Sequence, residues 1–335
     1  LTFFVNLRDI SNHWKMLKRI VISCLFLFAI SWTCFGDTPE INLTEDIVYK
    51  QIDGTPLKLD LYQSKNIPDG KLHPVFIYFH GGAWMYGSCR EVRGHFLRDI
   101  CTRLMKDGYS VVSVEYRLIS KDNGLCFPDP LSDCKDAVRW VRKMSGKYDF
   151  DINHIVVGGG SAGGHLALMT GWAPECVAFG APELRGYSSA VNGVVDIFGP
   201  TDIDDLLQAG MTKTEFKKKF DKNIWKDYIE IREVLLNAFT KQDADHPKLR
   251  RKVAKAYSPV TYLNRAVPTI ILHGDSDVIV PYKQSTDLYQ ALRKRGVPAE
   301  LYTVDGDHHG FPKLTPDKGR KMAEAVSAFL RASVK

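Results

Sequence analysis

Residues 155–168 read Ile155-Val156-Val157-Gly158-Gly159-Gly160-Ser161-Ala162-Gly163-Gly164-His165-Leu166-Ala167-Leu168. The β-branched run Ile155 to Val157 predicts a buried strand, and the segment from Gly164 to Leu168 predicts a helix. So little chain lies between them that only a sharp strand-to-helix turn fits. Gly159-Gly160-Ser161-Ala162-Gly163 matches G-x-S-x-G, which carries its serine in a strained conformation with small residues on either side to avoid the neighbouring backbone. The hydroxyl is then exposed, next to a helix N-terminus that favours negative charge. Taken alone, the same letters also describe a glycine-rich turn that merely permits close packing.

Outward from this turn the chain alternates between two patterns. Short apolar runs predict strands at Val75 to Phe79, Ser110 to Glu115, Gly193 to Phe198, Thr269 to Leu272 and Glu300 to Val304. Helical spacing appears over Phe96 to Lys106, Ser132 to Met144, His165 to Thr170, Thr286 to Arg295 and Asp317 to Ala332. Strands alternating with helices predict an α/β protein whose central sheet is mostly parallel, with helices on both faces. Earlier, Asp46 to Lys50 and Leu57 to Tyr62 alternate as strands around Asp53-Gly54, a hairpin that would supply an antiparallel edge. Asp202 to Tyr257 shows no strand pattern and is expected to be a helical insertion, following the sixth strand, over one end of the sheet. Its Lys217-Lys218-Lys219 run is expected to be a solvated helix face.

With 335 residues, 44% of them hydrophobic and 25% charged, the chain can build one large catalytic domain, expected over residues 37–335. Residues 1–36 are set apart. Met16-Leu17-Lys18-Arg19 is a basic start, Ile20 to Phe35 is almost wholly apolar, and Gly36 precedes Asp37. This is the pattern of a secretory signal peptide cleaved near Gly36, so the mature chain is expected to be secreted or periplasmic, without stable membrane insertion. The alternative is an N-terminal membrane anchor, since the run is near the lower length limit for a span. The formal net charge of +6 shrinks once Arg8, Lys15, Lys18 and Arg19 are removed with Asp9. So slight a bias does not indicate a nucleic-acid partner. Cys89, Cys101, Cys126, Cys134 and Cys176 show no C-x-x-C spacing, so no metal site is expected. In an oxidising compartment Cys126 and Cys134 could pair; otherwise the cysteines read as small buried side chains.

Three further loops each follow a predicted strand. His80-Gly81-Gly82-Ala83-Trp84 is glycine-rich and can present backbone N–H groups to an oxyanion, although a plain turn would look the same. His273-Gly274-Asp275-Ser276-Asp277 offers two carboxylates that could orient an imidazole, and aspartate is also a common turn residue. Asp307-His308-His309-Gly310-Phe311 offers two histidines as a general base, where a lone histidine would more often be structural. The order serine, aspartate, histidine, each just after a strand, favours the catalytic reading over the separate structural ones.

With these motifs the chain resembles α/β-hydrolase serine esterases, in particular the bacterial acetyl-xylan and feruloyl esterase-like group and its hormone-sensitive-lipase-like relatives. The resemblance spans about residues 45 to 332 and also includes Glu115-Tyr116-Arg117-Leu118. By position it implies Ser161 as nucleophile, Asp277 as the orienting acid and His309 as the base. It implies Gly82, Ala83 and Ala162 as oxyanion donors. Ala83 departs from the third glycine of the hormone-sensitive-lipase-like pattern, and the middle insertion matches no substrate. The implied reaction is hydrolysis of a small-molecule or polysaccharide-linked ester, acetyl-type first, through an acyl-enzyme with no cofactor. An amidase, arylformamidase or peptidase on the same fold, and a non-catalytic binding module, are the rival expectations. Asp275 is expected to hold its turn, and His308 to face solvent or hold its loop.

Overall fold

Unbroken apolar runs make stable strands only where both faces of a sheet are covered. The computed structural model of the protein meets that requirement with one sheet between two helical layers. It describes residues 39–65, 70–219, 226–240 and 246–334; the expected signal peptide lies outside them. The strands are β1 (Ile41–Ile52), β2 (Thr55–Ser64), β3 (His73–Phe79), β4 (Ser110–Val114), β5 (Phe150–Gly160), β6 (Gly193–Ile197), β7 (Thr269–Gly274) and β8 (Ala299–Val304). Their spatial order is β1-β2-β4-β3-β5-β6-β7-β8. β1 and β2 form an antiparallel hairpin, and β2 runs antiparallel to β4. The remaining neighbours are parallel. This is the α/β-hydrolase fold, with the hairpin as its antiparallel edge.

The helices are α1 (His95–Lys106), α2 (Pro128–Lys143), α3 (Ser145–Tyr148), α4 (Ala162–Trp172), α5 (Ile203–Leu207), α6 (Lys213–Lys219), α7 (Lys226–Thr240), α8 (Pro247–Ala256), α9 (Tyr282–Lys294) and α10 (Pro316–Ser333). Side chains alternate across each strand. Val75, Ile77 and Phe79 of β3 share a core with Leu131 and Val138 of α2, Leu166 of α4 and Leu288 of α9. Phe76 and Tyr78 share the opposite core with Leu97 and Ile100 of α1 and with Met322 and Val326 of α10. The described residues between β6 and β7 form helices α5 to α8 and a 3-10 turn, Pro259–Arg265. Among them, no helix is long and apolar enough to cross a membrane.

β1 extends well beyond the expected Asp46 to Lys50. Asn42 to Asp46 are exposed, so no apolar period marks them, and their pairing with β2 makes the strand. At the other end of the hairpin, buried Lys50 reaches Asp133 at 2.6 Å and Asp136 at 2.7 Å, tying β1 to α2. Asp133 also accepts from the Arg117 backbone and guanidinium, each at 2.9 Å, which accounts for the arginine of the Glu115-Tyr116-Arg117 motif. Of the two readings left open for Cys126 and Cys134, the structure has the free thiols rather than the pair. Cys134 is fully buried in the α2 face of the core, and the Cys126 thiol donates to Asp129 Oδ2 at 3.3 Å. Entry into α2 at Pro128 sets the two thiols on different partners.

Candidate active site

β5 ends at Gly160 and α4 begins at Ala162, so Ser161 alone turns the chain. Its φ of 56° with ψ of −118° is a conformation that L side chains rarely adopt. The Ser161 N–H donates to Ile197 O at 2.8 Å, and Ser161 O accepts from His165 N at 3.1 Å, so β6 and α4 hold the turn from both sides. A Cβ on Gly163 would stand 2.6 Å from His80 O and closer still to Phe79 O; one on Gly159 would stand 2.5 Å from Phe79 O. The two glycines let α4 start directly against the end of β3. Close packing and serine presentation are thus one feature.

The other two motif loops converge on this serine. The His309 Nδ1–H donates to Asp277 Oδ2 at 2.6 Å, and the Ser161 hydroxyl donates to His309 Nε2 at 2.9 Å. The carboxylate accepts only, which fixes the proton on Nδ1 and leaves Nε2 as the acceptor. Asp277 is buried, and its other oxygen accepts from the N–H groups of Ile279 at 2.8 Å and Val280 at 3.0 Å. Burial alone would push this carboxyl up. The charge of His309 and the hydrogen bonds from His273 and His309 outweigh it, and hold Asp277 well below the usual carboxylate range. The Asp277 charge therefore persists throughout the neutral range. The imidazole rests on Phe198, with ring centroids 4.6 Å apart.

Asp275 and His308 sit in the same loops with different partners. Asp275 Oδ1 accepts from Gly306 N at 2.7 Å, joining the loop after β7 to the loop after β8 rather than closing a local turn. His308 Nδ1 donates to Ser276 O at 2.7 Å and braces the same pair of loops.

The loop after β3 is shaped by left-handed backbone: Gly82 has φ 106°, Ala83 53° and Trp84 59°. A Cβ on Gly82 would lie 2.6 Å from the Tyr86 carbonyl carbon, so glycine is required there. Ala83 adopts the left-handed region at a cost of about 1 kcal/mol. Gly81 N–H is taken by Glu91 Oε2 at 2.7 Å. The N–H groups of Gly82, Ala83 and Ala162 have no hydrogen-bond partner among the described residues. The Tyr116 hydroxyl donates to His80 O at 2.8 Å, and the buried His80 ring stacks on Tyr116 at 4.1 Å. Trp84 is packed edge-on against Phe127, His165 and Phe239 of α7.

Sequence reasoning passed over three contributors. His273 Nε2 faces two acceptors, Asp277 Oδ2 and Val280 O, both at 3.1 Å, so it carries the proton; Nδ1 then accepts from Ser285 Oγ at 2.6 Å. A second imidazole therefore donates to Asp277, held in register by a serine of α9. The position of His273 at the head of its motif was the available signal. Phe198, at the end of β6, and Glu91, in a 3-10 turn (Cys89–Arg93), had none, because nothing local distinguishes them.

A family model described as BD-FAE matches residues 59–292. The chain is 30% identical over 81% of its length to esterase LipC, and 29% identical over 86% to esterase LipQ, both of Mycobacterium tuberculosis. It spans 61% and 62% of the lengths of these two relatives. Among solved structures it is similar to the butyrate-bound form of the esterase Est2 of Thermogutta terrifontis. The TM-score is 0.63 at 27% identity, covering 88% of this chain and 94% of that one.

Proposed function

The chain belongs to the BD-FAE family, and on that premise we propose that it is a carboxylic-ester hydrolase acting through an acyl-enzyme on Ser161. The observation that carries the reading is the continuous hydrogen-bonded line from Ser161 through His309 to Asp277. Ser161 Oγ attacks the ester carbonyl carbon as its proton passes to His309 Nε2. The resulting oxyanion accepts from the N–H groups of Gly82, Ala83 and Ala162. The bond to the alcohol oxygen then breaks as the imidazolium protonates it, leaving the acyl group on Ser161. Water repeats the attack with His309 as base and releases the acid. Asp277 holds the Nδ1 tautomer and balances the imidazolium charge.

Short acyl groups, acetyl-type on plant polysaccharide first, are the proposed substrates. The butyrate held by the Thermogutta esterase supports a short acyl chain. Residues 202–257 are proposed as a helical cap on the single catalytic domain 37–335, supported by the packing of Phe239 and Tyr257 on Phe127. Secretion after leader cleavage near Gly36 is part of the same proposal, and N-terminal sequencing of the exported protein checks it.

A serine-directed fluorophosphonate should label the protein, and Ser161→Ala should abolish both labelling and turnover of chromogenic acetyl esters. Residual acceleration over water is expected to be at most about 10³–10⁴-fold. Full activity in that variant would overturn the assignment. Faster cleavage of N-formyl-aryl amides than of acetyl esters would move the protein to the amidase reading.

A further inference from the structure

We propose that Glu91 is a specificity-determining residue of this site, one that favours esters bearing a positive charge near the scissile bond and disfavours anionic ones. The inference rests on the ester-hydrolase reading. Glu91 lies in the 3-10 turn just after the loop that carries Gly82 and Ala83. One of its oxygens is held: Oε2 accepts from Gly81 N at 2.7 Å and from the buried Tyr78 hydroxyl at 3.3 Å. The other, Oε1, lies close to Ser161. The point that a Cβ on Gly81 would occupy lies 3.1 Å from Gly160 O, 3.5 Å from Glu91 Oε1 and 3.7 Å from Ser161 Cβ, so this oxygen sits a few ångströms from the nucleophilic residue. Among the described residues no donor reaches Oε1 and no lysine or arginine pairs with Glu91. Its neighbour Arg93 is engaged by Tyr62, Asp60 and Glu45. The residue as a whole is exposed; burial around the carboxyl pushes it up, and the Gly81 N–H, the Tyr78 hydroxyl and the charge of His309 act against that, favouring the carboxylate.

A fixed carboxylate beside a reaction that builds an oxyanion opposes that reaction by simple Coulomb repulsion. Any effect of the carboxylate on the rest of the triad is the same for every ester and cannot discriminate among them. Discrimination arises from charge on the substrate itself. A cationic group beside the ester is attracted to Oε1, and an anionic group is repelled by it.

The test compares kcat/KM for acetylcholine, its neutral isostere 3,3-dimethylbutyl acetate, and the acetate ester of a sulfonate-bearing alcohol. The wild-type protein should rank them cationic, neutral, anionic. The formal net charge is positive, +6 for the whole chain and smaller without the proposed leader, and would by itself favour the anion, so this order must come from a local negative group. Glu91→Gln should reduce the cation-to-anion ratio by about tenfold, the scale of one charge a few ångströms away in a partly solvated site. Added salt should narrow the wild-type cation-to-neutral ratio, a measurement that decides the matter even if the variant does not fold. A flat or anion-first ranking in wild-type protein that still reacts with a fluorophosphonate overturns the proposal, as does an unchanged ratio in a labelled Glu91→Gln. Failure of the wild-type protein to label or to cleave any of the three esters overturns the hydrolase reading instead.

Discussion

His308 and His309 are adjacent in the chain, but the loop after β8 turns their rings to different partners. His309 bridges Asp277 and Ser161, while His308 donates to Ser276 O. Asp275 and Asp277 divide in the same way: Asp275 accepts from Gly306 N, and Asp277 accepts from two imidazoles and two backbone amides. The chemistry proposed here therefore predicts unequal damage from matched substitutions. His309→Gln and Asp277→Asn should each slow acylation by a chromogenic ester by about 10⁴-fold, since the base is lost in one and its tautomer and charge balance in the other. His308→Gln and Asp275→Asn should cost only a few-fold, through looser loops. Stopped-flow acylation of the four folded variants checks the ranking, and greater loss in either control would shift the assigned residue.

At the scale of elements, α4 starts where β3 ends, and the contact leaves no room for a side chain. Gly163→Ala would place a Cβ against Phe79 O and His80 O, both backbone atoms that cannot swing aside. The expected cost is about 3 kcal/mol, as for overpacking elsewhere in a dense core, with loss of fluorophosphonate labelling because Ser161 moves with α4. Gly146 in α3 is the matched control, since a Cβ there meets nothing within 4 Å. Gly146→Ala should leave labelling intact and shift stability by less than about 1 kcal/mol, in the stabilising direction. Urea unfolding of both variants measures the contrast; equal costs would mean that the α4–β3 approach is not what requires Gly163.

For the molecule as a whole, the middle of the sheet carries a buried acid that links folding to pH. Asp196 of β6 is fully buried; Oδ1 accepts from Gly199 N at 3.0 Å and Oδ2 has no partner among the described residues. Burial pushes this carboxyl up to about 8, and the Gly199 N–H offsets only part of that. Between about pH 4 and about pH 8 the folded chain therefore keeps a proton that the unfolded chain has released. The folded state binds more protons in that window, so this group makes stability fall as pH rises, by about 1.4 kcal/mol per unit. Asp196→Asn should remove the slope. Urea unfolding at a series of pH values, wild type against variant, isolates it from acids shifted the other way, such as Asp277. Identical pH dependence in the two proteins would show that Asp196 is ionised in the fold.

Whatever depends on near neighbours along the chain was legible before folding. Six apolar runs, two alternating segments and helical spacing marked eight strands and helices to cover them, because each side chain's preference for burial or solvent repeats with the local backbone period. The spacing around Ser161 implied its turn, because so few residues between a strand and a helix admit one geometry. What meets across the fold was not legible there. Ser161 and His309 are 148 residues apart, and their 2.9 Å contact depends on β5 and β8 ending on the same side of the parallel part of the sheet. The roles of Phe198, Ser285 and Glu91, and the absence of a Cys126–Cys134 bond, follow from side-chain direction after packing. Direction is not local: it is set by strand order, register and the helices that dock on them, and those exist only once distant parts of the chain have come together.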